Sequence, residues 1–265
     1  MLATRQDEPP LGGEALGAQN QERGTTLGPL AYGRVDLWHV YADKVNAERL
    51  AGCRRLLSAE EAAQADRFFF EKDRRLYLVA RAMLRTVLSG CLKCDPRGLV
   101  FRRNGYGKPF LAGPAGSPLQ FNLSHSGGLA VCAVTLDHEI GVDVEDRERR
   151  VEELELARRF FAPAEAGALE PLPAVVRRDA FFRYWTLKEA YIKARGMGLS
   201  MPLESFIVSF GNGRAPAISF ADPRSDRPEE WQLAEFRLGE RHQVALAVRC
   251  PSSRPLNIAV REMPL

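Results

Sequence analysis

The sequence predicts an α+β fold of two similar α+β subdomains, with antiparallel sheets packed against helices, and three observations predict it. The strand-like runs LQFNLS (119–124), LAVCAVT (129–135) and EIGVDVE (139–145) follow one another across short turns and read as an antiparallel meander. Two long helical patterns, 73–88 and 177–195, each lead into strand-like runs. Arg67-Phe68-Phe69 recurs as Arg159-Phe160-Phe161, each time ahead of a long helix. The echo suggests two similar subdomains, with the cleft between them as the natural place for a site; the expected bounds are a leader at 1–30, an N-terminal subdomain at 31–140 and a C-terminal subdomain at 141–265.

Residues 1–30 are rich in Gly and Pro and poor in large apolar side chains, so they cannot offset the entropy of ordering and read as a loose leader. VDLWHVYA (35–42) alternates like a strand. Ser58 followed by Glu61 forms a capping box that starts a helix, which breaks near Phe70. From Asp73 to Leu88, Leu76, Ala80, Met83, Leu84 and Val87 fall on one stripe while Arg74, Arg81 and Arg85 fall opposite, predicting a helix with a basic back. Asn104-Gly105 is a turn signal. After the meander come helical stretches at about 150–170 and 177–195, the second stopped by Gly196 and Gly198. Strand-like runs at 206–210, 231–236 and 243–249 follow.

Composition sets bounds on function. The 265 residues, 45% hydrophobic and 27% charged, are those of an ordinary water-soluble globular protein. No run of 18 apolar residues exists, so no membrane span is expected. The N-terminal MLATRQDEPP has no apolar signal region and the five Cys have no disulfide spacing, which points to the cytoplasm. A net charge of +3 is too small to predict nucleic-acid binding. Cys91 and Cys94 form a lone CxxC with no second pair and are discounted as a metal or redox site.

The residues that can do chemistry fall in four places. In GVDVE, strand alternation points Asp143 and Glu145 the same way, a pair of hard oxygen donors suited to Mg²⁺; taken alone it also reads as a solvated edge-strand face. Trp185, Glu189 and Lys193 follow at i, i+4 and i+8 on a largely apolar helix, either a plain Glu–Lys helix pair or a third carboxylate for the metal with Lys193 left to meet phosphate. FNLSHSGG places Ser124, His125 and Ser126 before two glycines, either a tight hairpin turn or a small-donor cradle for an anion. RRNGYGKP offers Arg103 and Lys108, either solvated hairpin charges or a phosphate clamp.

Taken in order, Gly107-Lys108-Pro109, Phe121-Asn122-Leu123-Ser124-His125-Ser126-Gly127, Gly141-Val142-Asp143-Val144-Glu145 and Trp185-x-x-Lys188-Glu189-Ala190-x-x-Lys193 resemble the 4'-phosphopantetheinyl transferases of the surfactin-synthetase-activating (Sfp) type, over about residues 56–210. The resemblance implies a pseudo-twofold monomer with coenzyme A and Mg²⁺ in the cleft between its halves. It implies that Asp143, Glu145 and Glu189 hold Mg²⁺ and that Lys193 contacts the phosphates. Ser124, His125, Arg103, Lys108 and Arg81 would then grip the 3'-phosphoadenosine end. The implied reaction moves the phosphopantetheine arm from coenzyme A to a serine of an apo acyl, peptidyl or aryl carrier protein and releases adenosine 3',5'-bisphosphate. Glu189 and Lys193 are its expected catalytic residues: Glu189 as base for the serine proton, Lys193 stabilising the leaving phosphate. Met197, Leu199 and Met201 are an apolar stretch that could receive the carrier helix or pack in the core.

One departure stands out. Relatives often carry basic residues in the turn before the first helix, where they touch the 3'-phosphate, whereas Ala59 to Gln64 holds Glu60 and Glu61 and no cation. Either Arg74, Arg75 and Arg81 take over, or selection against dephospho-coenzyme A is weaker. Two rival functions fit less well. A metal-dependent nuclease usually wants Glu-x-Lys on one strand, and a module that only binds coenzyme A or a carrier protein has no need of a complete metal site.

Overall fold

The computed structural model describes residues 30–114, 116–211, 215–222, 224–251 and 255–265, and the expected leader lies almost wholly outside them. The chain opens with β1 (Arg34–Tyr41), then α1 (Ala47–Leu56), α2 (Ala59–Ala65) and the 22-residue α3 (Glu71–Leu92). A hairpin of β2 (Val100–Arg103) and β3 (Pro109–Gly113) follows, then β4 (Leu119–Ser126) and β5 (Leu129–Leu136). The same order then repeats. The second round is β6 (Ile140–Asp146), α4 (Glu153–Phe160), α5 (Pro163–Leu169), the 22-residue α6 (Ala174–Arg195), a hairpin of β7 (Phe206–Ser209) and β8 (Ala217–Phe220), then β9 (Trp231–Leu238) and β10 (His242–Arg249). A last strand, β11 (Asn257–Glu262), has no counterpart in the first round.

The fold class is as expected, and the repeat is much more regular than the echo that hinted at it. Each round builds a sheet in which its first strand pairs with its last: β1-β5-β4 and β6-β10-β9, all antiparallel. The Arg-Phe-Phe echo itself is out of register, since Arg67-Phe68-Phe69 follows the capped helix α2 while Arg159-Phe160-Phe161 precedes α5. The true equivalents are the buried glutamates Glu61 and Glu165. Each sits at the third position of a short helix and accepts the N-terminal backbone N–H, and each is paired with a cation of the following long helix.

Two expectations are corrected here. The runs 119–145 do not form one meander: β4 and β5 pair, but β6 leaves them to pair with β10 in a second sheet. Nor does the C-terminal half keep to itself, because β11 returns to lie parallel to β1 on the edge of the first sheet. Strand alternation explains the layering. Trp38, Val40, Cys132 and Phe121 face α3, while Val35, Leu37, Val131 and Ala133 face Val142, Val144, Leu246 and Phe236 of the second sheet. The outer face of that sheet packs on α6 through Ala245, Ala247, Leu187 and Tyr191. The order is helix, sheet, sheet, helix.

The basic back of α3 is also revised. Arg85 is only 2% exposed, bonded to Glu61 Oε2 (2.6 Å) and to the carbonyl of Pro96 (2.6 Å). With Arg81 on the other oxygen of Glu61, that carboxyl is held below the ordinary range although burial alone would raise it.

Candidate active site

The seam between the two sheets carries the site. Because β4 and β6 belong to different sheets, their backbones are joined through side chains, and every second residue of FNLSHS reaches across. Asn122 Oδ1 accepts from Val142 N (2.9 Å), Ser124 Oγ donates to Asp143 Oδ1 (3.1 Å), and Ser126 Oγ accepts from Asp146 N (3.2 Å) while donating to Glu145 Oε2 (3.2 Å). The two motifs are therefore the two edges of one seam. Asp143 and Glu145 are 5% and 8% exposed, which excludes the solvated edge-strand reading.

From the other side α6 lays Trp185, Glu189 and Lys193 along the same cleft of ≈ 290 Å³, with Ser124, His125, Asp143 and Glu145 opposite. Lys193 Nζ donates to Asp143 Oδ1 (2.5 Å) and to Ser124 Oγ (2.9 Å), so one ammonium joins both sheets and the helix. Asp143 Oδ2 is buried with no hydrogen-bond partner. Glu145 and Glu189 both hold their protons above the ordinary carboxylate range, chiefly through burial and then through the charge of Asp143. A second cavity of ≈ 280 Å³, more apolar, shares Glu189 and Lys193 and continues past Tyr106, Leu123 and Ile192.

The structure brings Asp143, Glu145, Glu189, Lys193, Ser124 and His125 together, places Lys108 on the wall of the second cavity, and leaves Arg103 and Arg81 elsewhere. His125 alternates to the α3 side of β4 and is exposed, with its basicity lowered by desolvation and by Lys193. Arg103 is exposed on its hairpin and donates to Gly107 O (3.2 Å). Arg81 is committed to Glu61 and stacks over Phe101. Lys108 points its ammonium at the carbonyls of Ala194 (2.8 Å) and Ile140 (3.1 Å), so it makes no solvated clamp. Ser124 and Ser126 spend their hydroxyls on carboxylates, which replaces the expected turn-based anion cradle. Arg75 bonds the carbonyls of Ala42 and Val45, whereas Arg74 makes only an exposed surface pair with Glu71, so of these two Arg74 alone stays available in place of the cations absent from Ala59 to Gln64. Met201 packs into the core beside α6, and the side chain of Leu199 lies outside the described residues.

Sequence reasoning passed over two residues of the motifs. Lys188 is fully buried, bonded to Glu165 Oε2 (2.7 Å) and to the carbonyls of Leu203 (2.9 Å) and Phe206 (2.7 Å), which makes it a structural tie. Gly141 has no room for a side chain, because a Cβ would lie 2.1 Å from Ala190 O of α6. A charge between Leu187 and Glu189 on a largely apolar helix, needing a partner, was the available signal for Lys188; for Gly141 there was none.

A family model described as 4'-phosphopantetheinyl transferase superfamily matches residues 139–247, and one described as 4'-phosphopantetheinyl transferase, N-terminal, matches 45–137. The 4'-phosphopantetheinyl transferase HetI of Nostoc sp. strain PCC 7120 is 41% identical over 167 residues, covering 63% of this chain and 70% of that protein. The chain belongs to the 4'-phosphopantetheinyl transferases. The 4'-phosphopantetheinyl transferase Sfp of Bacillus subtilis strain 168 is 30% identical over 190 residues, 71% of this transferase and 83% of that one. The L-aminoadipate-semialdehyde dehydrogenase-phosphopantetheinyl transferase of Xenopus laevis is 32% identical over 212 residues, 74% and 69% of the two chains. This transferase is thus of the Sfp type, and the boundary between the two family matches falls where β5 ends and β6 begins.

Proposed function

We propose that the protein transfers the phosphopantetheine arm of coenzyme A to a serine hydroxyl of an apo acyl, peptidyl or aryl carrier protein, releasing adenosine 3',5'-bisphosphate, with Mg²⁺ held by Asp143, Glu145 and Glu189. The observation that carries this reading is the convergence of those carboxylates, with Ser124 and Lys193, on one cleft between the repeated halves. Among the described residues, no three His, Cys, Asp or Glu side chains are already gathered tightly enough to hold an ion. The donor set nonetheless fits one: three hard oxygen ligands in one cleft, one of them with an orphaned buried oxygen that a cation would satisfy. Bound there, Mg²⁺ supplies charge neutralisation at the diphosphate oxygens.

The chain's own groups do the rest. Lys193, exchanging its bond to Asp143 for the diphosphate, stabilises charge on the departing phosphate as the serine oxygen–phosphorus bond forms and the bridging phosphorus–oxygen bond breaks. Glu189, a carboxylate lining the same cleft as Lys193, takes the serine proton. His125 and Arg103, exposed on the N-terminal half, are the groups left to meet the 3'-phosphate. With Arg75 and Arg81 engaged elsewhere and the surface residue Arg74 alone left of the three, weaker selection against dephospho-coenzyme A is the reading we adopt. One chain supplies both walls of the cleft, which supports a monomer. The unpaired thiols of Cys53, Cys91, Cys94 and Cys132 suit a reducing cytoplasm, and no helix among the described residues is long and apolar enough to cross a membrane.

The test is mass gain of apo carrier proteins incubated with coenzyme A and Mg²⁺, run also with dephospho-coenzyme A as competitor. Glu189→Gln should lower turnover by about 10²-fold, the lower range for loss of a general base. Full turnover with unchanged Mg²⁺ affinity in that variant would remove Glu189 from both roles, and no mass gain on any carrier by the native chain would overturn the reading.

A pH dependence follows from Glu145 and Glu189. In the metal-free protein the folded state keeps these two protonated above their ordinary value of 4.5, so it binds more protons than the unfolded chain across that window. Stability from these groups is therefore greatest below the window and falls as pH climbs through it. Mg²⁺ binds only the ionised forms. Its stabilising effect on thermal unfolding should be small at pH 5 and grow toward pH 7.5, and an equal shift at both pH values would contradict the assignment.

A further inference from the structure

We propose that Lys108 and Asn104 form a clasp by which the β2–β3 hairpin of the first half fixes the end of α6, making Lys108 a positioning residue for Lys193 and Glu189. A helix end leaves its last carbonyls without partners and carries partial negative charge. At the end of α6 the hairpin supplies donors for two such carbonyls. Lys108 Nζ donates to Ala194 O (2.8 Å), the residue after Lys193, and Asn104 Nδ2 donates to Gly196 O (2.8 Å) at the helix cap. The same ammonium donates to Ile140 O (3.1 Å), one residue before Gly141 at the start of the strand that carries Asp143 and Glu145.

One cation thus ties the end of α6 to the start of β6, which sets the spacing between the two elements that face each other across the cleft. The turn is built to hold that cation in place. Asn104 Oδ1 accepts from Tyr106 N (3.0 Å) and Lys108 N (2.9 Å), and Asn104 N donates to Lys108 O (3.0 Å), so the residue that caps the helix also closes the loop. The fit is tight at Gly196, which adopts φ +63°: a Cβ there would lie 2.8 Å from Lys108 Cδ and 3.1 Å from Asn104 Nδ2. Desolvation lowers the Lys108 ammonium to about 8, opposed by Glu139, as befits a group embedded between the halves. Lys108 lines the cavity that shares Glu189 and Lys193, but its ammonium is spent on two backbone oxygens where a phosphate-binding lysine would leave it open.

The inference has two arms, of which only the kinetic one rests on the transferase reading. In hydrogen exchange, the amides of residues 190–196 should exchange faster in Lys108→Met than in the native chain while those of α3 are unchanged. Lys108→Arg, which keeps donors at the same place, should restore protection, and Asn104→Ala, a milder change, should give a smaller loss confined to the same turn. In the carrier assay, Lys108→Met should lower kcat by on the order of 10- to 100-fold, as expected when reacting groups are displaced by about an ångström, with KM for coenzyme A within about twofold of native. Unchanged protection at 190–196 in both Lys108→Met and Asn104→Ala would overturn the clasp whatever the activity. A raised KM with native kcat would also overturn it, in favour of a direct phosphate contact. Failure of the native chain to modify any carrier would instead overturn the functional reading and leave the exchange arm standing.

Discussion

Gly141→Ala should abolish both the fold of the second half and all transfer activity. Cβ at this position would lie 2.1 Å from Ala190 O, 2.3 Å from Ala194 N and 2.9 Å from Ala194 Cα, and every one of these is backbone of α6. A flexible side chain can move aside, whereas helix backbone moves only with the whole element. Overpacking in a dense core typically costs about 1–3 kcal/mol when neighbours can adjust. Here α6 would have to lift from β6, which exceeds that range and separates Asp143 and Glu145 from Glu189 and Lys193. The measurement is thermal unfolding together with carrier mass gain. A soluble Gly141→Ala protein with native melting and native turnover would show that the helix and strand do not meet as closely as described.

The second large effect is expected at Lys188. Lys188→Met should destabilise the protein by about 3–5 kcal/mol, because it removes the partner of a glutamate that is itself buried. Glu165 has a side-chain exposure of 1%, and besides Lys188 it accepts from Ala162 N (2.9 Å) and Val208 N (2.7 Å), so its charge cannot turn to water. The ammonium, fully buried against Phe206 and lowered to about 8 by that burial, would be equally stranded by Glu165→Leu. The double variant Lys188→Met/Glu165→Leu should recover part of the loss, since two apolar groups leave no unpaired charge, though Val208 N and Ala162 N still lose an acceptor. Denaturant unfolding of the native protein, both single variants and the double variant provides the cycle. Strict additivity would contradict a coupled pair. Because Lys188 touches no cleft residue in the bonds described, the surviving folded fraction of Lys188→Met should keep native KM for coenzyme A.

Geometry set by near neighbours is legible along the chain; partnership between distant residues is not. Period-2 alternation sufficed to predict that Asp143 and Glu145 share a face opposite Val142 and Val144, and period-3.6 spacing sufficed to align Trp185, Glu189 and Lys193. Both patterns are local geometry. The capping box at Ser58–Glu61 was legible for the same reason, since its partners are three residues apart. Whether a cation on such a surface is free was not legible. Arg81, Arg85 and Lys108 look alike as a charge pattern, yet each is committed to a group 20, 24 or 86 positions away.

By itself, then, the sequence determined the α+β class, the two long helices and most of the strands, the composition of the cluster in the cleft and the family to which the chain belongs, because each depends on side chains close in the chain or on motif order. Only the tertiary structure decided which strands pair, that β11 closes the first sheet, and which cations serve the cleft and which serve the scaffold. Those outcomes depend on burial and on partners brought together by folding, where removing a charge from water is tolerable only beside its counter-charge. That condition can be met from any point along the chain, so no spacing in the sequence records it.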